Sequence, residues 1–131
     1  MKTITTWTKD HRFTSSHDGN EIAIDGDKKK GHGPKALLLS GLAGCSGIDV
    51  VDILGKMKIE FSNFRIETEA KQSEEHPKVF TDVHIIYHLR TSADNEDRIR
   101  KAIELSLDKY CGVAAMLKKN SPVRYSLVIE S

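Results

Sequence analysis

The sequence has few of the residues that hold small secreted domains together. Its 131 residues include two cysteines, one tryptophan and three prolines. Two cysteines do not build a disulfide framework, and a chain of this length buries a real core without one. In a reducing cytoplasm the two cysteines are therefore either inert core residues or residues that do chemistry.

The chain also lacks an excess of charge of either sign. Twenty basic residues stand against nineteen acidic ones, for a formal net charge of +1. Proteins that bind nucleic acid usually carry a clear basic excess or patch, so no nucleic-acid partner is expected. The only basic run, Lys28 to Lys30, is typical of a solvated loop.

No stretch has the features of a targeting or membrane-spanning segment. The residues from Met1 to Trp7 lack the apolar run of a signal peptide, which predicts a cytoplasmic protein. The longest apolar run, Ala36 to Ile48, ends at Asp49 and is shorter than the ~20 residues that span a bilayer. No membrane partner is expected.

Neither a metal site nor a phosphate-binding loop is indicated. His84 and His88 fall on one face of a predicted strand, but four strand residues separate them by roughly 13 Å, too far to share a metal. The glycines Gly41, Gly44 and Gly47 lie inside a predicted helix, whereas a phosphate-binding loop precedes one. We therefore expect no metal and no bound cofactor.

What the sequence does have is one long apolar stretch, from Gly33 to Leu54, around which the rest is organised. Pro34 suits the first position of a helix, where its missing N–H is not needed. The stretch is apolar or small on every side as far as Ile48, which favours a helix surrounded by protein. Each glycine inside it costs roughly 1 kcal/mol of helix propensity, so we expect another backbone to approach this ridge of glycines closely.

The other segments predict alternating strands and helices of an α+β fold in a single domain, 1–131. Strand-forming runs, turn residues and helical spacing define them. The predicted order is an N-terminal hairpin of two or three short strands over 3–25, a polar loop over 26–33, the long helix to about Lys58, strands over 59–70 and 79–90, a helix over 95–110, a short helix over 111–119 and a last strand over 123–130.

The two cysteines are the one group of residues in the sequence that could carry out a chemical reaction. Cys45 lies within the glycine ridge, and Cys111 opens a helix, where unpaired N–H groups favour a thiolate. Residues alone leave two interpretations open, an inert buried pair and a redox pair. Asp49 and Asp52 lie on the helical stripe of Cys45, and negative charge opposes thiol ionisation.

An ionised Cys45 would therefore need a cation from elsewhere in the fold, or those two carboxylates would have to be turned away or paired. Two basic residues are the candidates for that cation. Arg12 lies in the N-terminal hairpin, and Lys35 lies at the start of the long helix.

Several of these segments resemble the OsmC/Ohr family of osmotically inducible and organic-hydroperoxide-resistance proteins. Gly33 to Cys45 is similar to the family's Asn-Pro-Glu-x-Leu helix that leads to its first cysteine. Lys109 to Val113 resembles the segment around its second cysteine, and the order of elements agrees along nearly the whole chain. Cys45 followed by Asp49-Val50-Val51-x-Ile53-Leu54 resembles a less characterised branch of the family.

The resemblance implies a fold of antiparallel sheets packed around a long cysteine-bearing helix, in an intertwined homodimer with active sites at the subunit interface. It also implies a thiol-dependent peroxidase that reduces organic hydroperoxides. Cys45 would attack the peroxide and become a sulfenic acid, and Cys111 would resolve it as a disulfide. An external dithiol reductant would restore the thiols, without a cofactor.

The chain departs from the family pattern at one position. The family's glutamate, ten residues before the first cysteine, corresponds to Lys35, and a lysine cannot hold the family's arginine as that glutamate does. Arg12 is the candidate for that arginine.

A second hypothesis keeps the fold without the enzyme. In it an apolar pocket at the dimer interface binds a lipid-like or acyl ligand, and the thiols are incidental. Its wall would come from Leu38, Leu42, Ile48 and Met116, which are also ordinary core residues by type.

Overall fold

The computed structural model describes residues 1–131, which divide into two compact units, Met1–Leu39 and Ser40–Ser131. The boundary falls near the start of the long helix. The first unit holds the N-terminal strands, and the second holds most of the long helix and all later elements.

The first unit is a three-stranded antiparallel meander. Its strands are β1 (Ile4–Lys9), β2 (Arg12–His17) and β3 (Asn20–Asp25), in that spatial order. Asp18 and Gly19 both have positive φ and join β2 to β3, because a two-residue hairpin turn needs that conformation. The structure confirms the predicted hairpin and gives it three strands.

A buried carboxylate organises the polar loop that follows β3. Asp25 is 1% exposed, and its oxygens accept the backbone N–H groups of Asp27 at 2.8 Å, Lys30 at 3.0 Å and Lys29 at 3.2 Å. Arg12 approaches the same carboxylate at 3.9 Å. The loop with three lysines is thus folded around one acidic side chain.

The second unit has a mixed sheet in the order β4 (Ser62–Gln72), β5 (Phe80–Arg90) and β6 (Val123–Glu130). The strands β4 and β5 pair antiparallel, as predicted for a long hairpin. The pairing of β5 with β6 is parallel, because helices connect these two strands. Alternate residues of β5 form the centre of the core: Val83, Ile85, Tyr87 and Leu89.

The long helix α1 (Pro34–Lys56) begins at the predicted proline and ends two residues before the predicted end. Its buried residues are Leu42, Ser46, Val50 and Leu54, which recur every four residues and form one stripe. By length and composition alone this helix is apolar enough to cross a membrane, a test that the core helix of a soluble protein also passes.

The remaining faces of α1 are not covered by this chain, contrary to the prediction of a helix surrounded by protein. Ile48 and Val51 are exposed, and a Cβ added at Gly41 or Gly44 would meet no atom within 4 Å. Of the three ridge glycines only Gly47 has a close neighbour, since a Cβ added there would lie 3.1 Å from the Cδ1 of Ile66. One chain therefore supplies packing for a single face of its most apolar helix.

The predicted helix over 95–110 is divided in the structure. A 3₁₀ turn (Ala93–Asn95) leads into α2 (Glu96–Leu105), and a π-helical turn (Ser106–Tyr110) follows. The short helix α3 (Gly112–Lys118) comes next, with Cys111 as its N-cap. The extra residue of the π turn changes the direction in which the side chains point just before Cys111. The spacing of apolar residues does not reveal such a change.

We expect Asp25→Asn to loosen the polar loop selectively. The carboxylate accepts three N–H groups, and the hydrogen bond from Asp27, followed by those from Lys30 and Lys29 and the charge of Arg12, lowers the pKa of Asp25 although burial opposes this. Hydrogen exchange should show faster exchange of the Lys29 and Lys30 amides. Asp27→Asn, whose parent carboxylate pairs with His11 at the surface, is the matched control.

The protection of these loop amides by Asp25 should depend on pH in the wild-type protein. A carboxyl with a lowered folded-state pKa contributes stability above its unfolded pKa, and that contribution is lost as the pH falls through the folded value. The loop amides should therefore lose protection on acidification below the normal range of an aspartate. Unchanged exchange in Asp25→Asn would contradict this role.

Candidate active site

The structure brings the two cysteines together in the second unit. Cys45 lies midway along α1 and is half-buried, and Cys111 is 3% exposed at the start of α3. Both are free thiols, and Cys45 lies close enough to Cys111 to raise the pKa of that thiol. The prediction that these residues form a pair is consistent with this proximity.

The environment of Cys111 favours the protonated thiol. Burial, followed by the hydrogen bond with Cys45 and the charges of Cys45 and Asp49, raises the pKa of this thiol to about 11. The N–H of Ala114 donates to Cys111 Sγ at 3.3 Å and opposes these effects. The N–H group at the start of α3 favours the thiolate as expected, but burial outweighs it.

Cys45 is the more exposed of the two thiols and so the one that a small oxidant meets first. The roles of Cys45 as the attacking thiol and Cys111 as the second thiol stay a prediction, with which this difference in exposure is consistent.

The two carboxylates on the helical stripe of Cys45 differ in their surroundings. Asp52 is exposed to solvent. Asp49 is half-buried, and its Oδ2 accepts a hydrogen bond from the Ser106 hydroxyl at 2.9 Å. One carboxylate is turned outward, and the other has a neutral hydroxyl as its partner.

Arg12 and Lys35, the two predicted cations, both lie in the first unit. Arg12 Nε is 3.9 Å from Asp25 Oδ2, so its guanidinium has a carboxylate partner. Lys35 occupies the second residue of α1. Their assignment to the active site stays a prediction.

The histidines on the outer face of the sheet each pair with a glutamate of β4. His84 Nδ1 lies 3.1 Å from Glu69 and its Nε2 lies 2.7 Å from Ser126 Oγ, while His88 Nε2 lies 2.7 Å from Glu67. A serine, a histidine and a glutamate in this order resemble a hydrolytic triad. The central strand β5 is paired on both sides, so the sheet offers no free N–H pair for an oxyanion.

Sequence reasoning missed the polar residues that surround the cysteine pair. Ser46, Tyr87 and Ser106 are fully buried and hydrogen-bonded to one another, although they come from three different elements. The one local signal was a polar residue at an apolar position: Ser106 lies on the buried stripe of the helix predicted over 95–110. Nothing local indicated its partners.

The fold and the site together define a class, that of two-cysteine α+β proteins with the first thiol on a long apolar helix. A family model described as OsmC-like protein matches residues 26–126. Protein YhfA of Escherichia coli K12 is 32% identical over 129 residues, which is 96% of each chain. The chain belongs to the OsmC-like family, as the resemblance predicted.

Solved structures agree with that assignment. A hypothetical protein from Aquifex aeolicus VF5 is 29% identical, with a TM-score of 0.84 over 99% of this chain and 97% of that one. The organic hydroperoxide resistance protein OhrB of Bacillus subtilis has a TM-score of 0.65 over 96% of both chains and 17% identity, which shows a shared fold.

The contrast between the two thiols predicts ordered alkylation. In the reduced protein at pH 8, iodoacetamide should modify Cys45 well before Cys111, because Cys111 is buried and its pKa of about 11 leaves it protonated. Peptide mass spectrometry after timed quenching measures both rates. Labelling of Cys111 first would contradict the assignment of the two thiols.

Proposed function

We propose that this protein is a thiol-dependent peroxidase that reduces organic hydroperoxides and so contributes to oxidative stress defence. The observation that carries the proposal is the proximity of a half-buried Cys45 to a buried Cys111. Membership of the OsmC-like family and the shared fold with organic hydroperoxide resistance proteins support it.

In the first step the Cys45 thiolate attacks the terminal oxygen of the hydroperoxide. A sulfur–oxygen bond forms, the oxygen–oxygen bond breaks, and an alcohol leaves after the alkoxide takes a proton. Cys45 is oxidised to a sulfenic acid. Partial burial of the site keeps competing nucleophiles away from that intermediate.

In the second step Cys111 sulfur attacks Cys45 sulfur. A disulfide forms, the sulfur–oxygen bond breaks, and the Cys111 proton leaves with the hydroxide as water. A dithiol reductant then restores both thiols by thiol–disulfide exchange and is itself oxidised to a disulfide. This sequence uses only the two cysteines and reactants of defined chemical class.

The positive charge for Cys45 is proposed to come from Arg12 or Lys35. The family's glutamate is replaced by Lys35, but Arg12 still has a carboxylate partner, since Asp25 lies 3.9 Å away. Asp25 is itself held in place by three backbone N–H groups. We propose that it takes over the part of the missing glutamate in orienting Arg12.

One equivalent of cumene hydroperoxide tests the peroxidase directly. The reduced wild-type protein should lose two hydrogens and both free thiols, faster than with hydrogen peroxide. Cys45→Ser should not react beyond the rate without protein, because the attacking sulfur is absent. Cys111→Ser should gain one oxygen and stop, since the sulfenic acid has no second thiol; intact-mass spectrometry follows all three.

Cys111→Ser is also the control for folding, since it removes a thiol of the same pair and retains the first oxidation. Full peroxide consumption by Cys45→Ser would overturn the assignment. Two unreacted thiols in the wild-type protein would contradict the proposed peroxidase activity.

We further propose that the protein is a cytoplasmic homodimer in which a second copy covers the open faces of α1. A mostly apolar depression is lined by Gly44, Gly47, Ile48, Val51, Asp52 and Phe64. Ile48 is 67% exposed in a single chain, and an uncovered apolar patch on a helix favours an interface. The open glycine ridge supplies the close approach that a second helix needs.

Light scattering should report twice the single-chain mass of 14.7 kDa. Ile48→Glu should shift the mass toward one chain, because it places a charge in the apolar depression. Val128→Glu, on the sheet face away from α1 and also exposed, should leave the mass unchanged. A wild-type protein at the mass of one chain would contradict the dimer.

The ligand-binding alternative is favoured by the same depression. It differs in its occupant, an acyl chain instead of a second helix. Leu42, one residue of the predicted wall, is fully buried in the core, whereas Ile48 and Met116 are exposed. Native mass spectrometry of freshly purified protein separates the two, since a dimer at the calculated mass counts against a bound lipid.

A further inference from the structure

A continuous chain of hydroxyl groups ends on the Asp49 carboxylate. Tyr87 Oη lies 2.6 Å from Ser46 Oγ, which lies 2.8 Å from Ser106 Oγ, which in turn lies 2.9 Å from Asp49 Oδ2. Tyr87, Ser46 and Ser106 are each 0% exposed. Three buried hydroxyls in one unbroken row are unusual in an apolar core, where an unpaired polar group is costly.

Ser106 donates toward two acceptors, Asp49 Oδ2 and Ser46 Oγ. Ser46 Oγ and Tyr87 Oη share a further hydrogen bond, in which either hydroxyl can be the donor. A carboxylate only accepts hydrogen bonds, so the chain ends on Asp49, and Ser106 links that carboxylate to the buried hydroxyls.

The chain touches the elements that carry both thiols. Ser46 follows Cys45 on α1, and the Ser106 carbonyl accepts the Cys111 N–H at 2.7 Å. That bond spans five residues and closes the π turn, a distortion of α-helix that is frequent at functional sites. Ser106 thus holds α1 through its side chain and the start of α3 through its backbone.

We propose that Asp49, Ser106, Ser46 and Tyr87 are the positioning residues of the resolving cysteine: they hold Cys111 against Cys45 and keep a negative charge beside it. The inference rests on the proposed function and assigns it a network beyond the two thiols. Burial and the neighbouring Cys45 raise the pKa of Cys111, and the charge of Asp49 adds to this effect, so Cys111 keeps its proton while Cys45 reacts first.

The elements packed against Cys111 bring few competing charges. The helix α1 contributes Cys45 and Asp49, and β5 contributes the Tyr87 hydroxyl, whose pKa burial raises to about 12 and which stays neutral. From α3 the nearest charge, Lys118, is engaged with the Leu107 carbonyl at 2.6 Å and with Asp108 at 3.2 Å. Asp49 is therefore the carboxylate of the site whose charge raises the pKa of Cys111.

The charge is tested in a Cys45→Ser background, where Cys111 is the only thiol. The rate of Cys111 alkylation by iodoacetamide is measured from pH 7 to pH 11, with and without Asp49→Asn. Removing the charge should lower the pH of half-maximal rate and speed alkylation at pH 8 by roughly three- to tenfold, since one unit of pKa is a factor of ten. A purely structural role would not move the pH profile in this direction.

The positioning is tested with diamide, which oxidises paired thiols without any peroxide. Ser106→Ala should slow formation of the Cys45–Cys111 disulfide by about tenfold or more, and Tyr87→Phe should slow it less, because it removes the far end of the chain and retains the packed ring. Tyr125→Phe is the matched control: its ring packs against Tyr87, but its hydroxyl faces Glu104. It should form the disulfide at the wild-type rate.

The outcomes separate this inference from the peroxidase. If Ser106→Ala destabilises the fold in a thermal melt, Tyr87→Phe decides the question by the same assay. Wild-type disulfide rates in the network variants, or an unmoved pH profile in Asp49→Asn, would overturn the network whether or not hydroperoxides react. Loss of peroxide reactivity with intact diamide behaviour would overturn only the proposed function.

Discussion

The need to satisfy one buried serine on an apolar helix fixes much of the second unit. Ser46 faces the core of β5, where an unpaired hydroxyl would be costly, and it finds Tyr87 at 2.6 Å and Ser106 at 2.8 Å. Those two contacts set the position of α1 relative to β5 and the π turn. The cysteines, each adjacent to or bonded to a member of this network, meet as a consequence.

The α1 helix combines this specific contact with a surface that its own chain leaves open. The buried stripe is narrow, while Ile48 and Val51 face outward beside glycines that have no neighbour within 4 Å. The sequence of this helix is apolar on all its faces, but a single chain covers only one of them. The proposed dimer would supply that environment, and it would give a reason for the glycines that weaken the middle of this helix.

The predicted elements and their limits show where sequence reasoning is strong. The proline that starts α1, the Asp18-Gly19 turn and the alternation along β5 are local signals, and each is confirmed. The π turn and the parallel pairing of β6 are not local, and neither was predicted. The N–H group that favours a Cys111 thiolate is also a local signal, but the burial that outweighs it is not visible in the sequence.

By itself the sequence determined the α+β order of elements, the helix that carries Cys45, and the family, through residues around the two cysteines. Only the tertiary structure decided that Cys111 is the buried, protonated member of the pair, that Asp49 is held by Ser106, and that Asp25 partners Arg12. The physical reason is that pKa and hydrogen bonding depend on solvent exclusion and on contacts between distant segments. Periodicity along the chain carries neither kind of information.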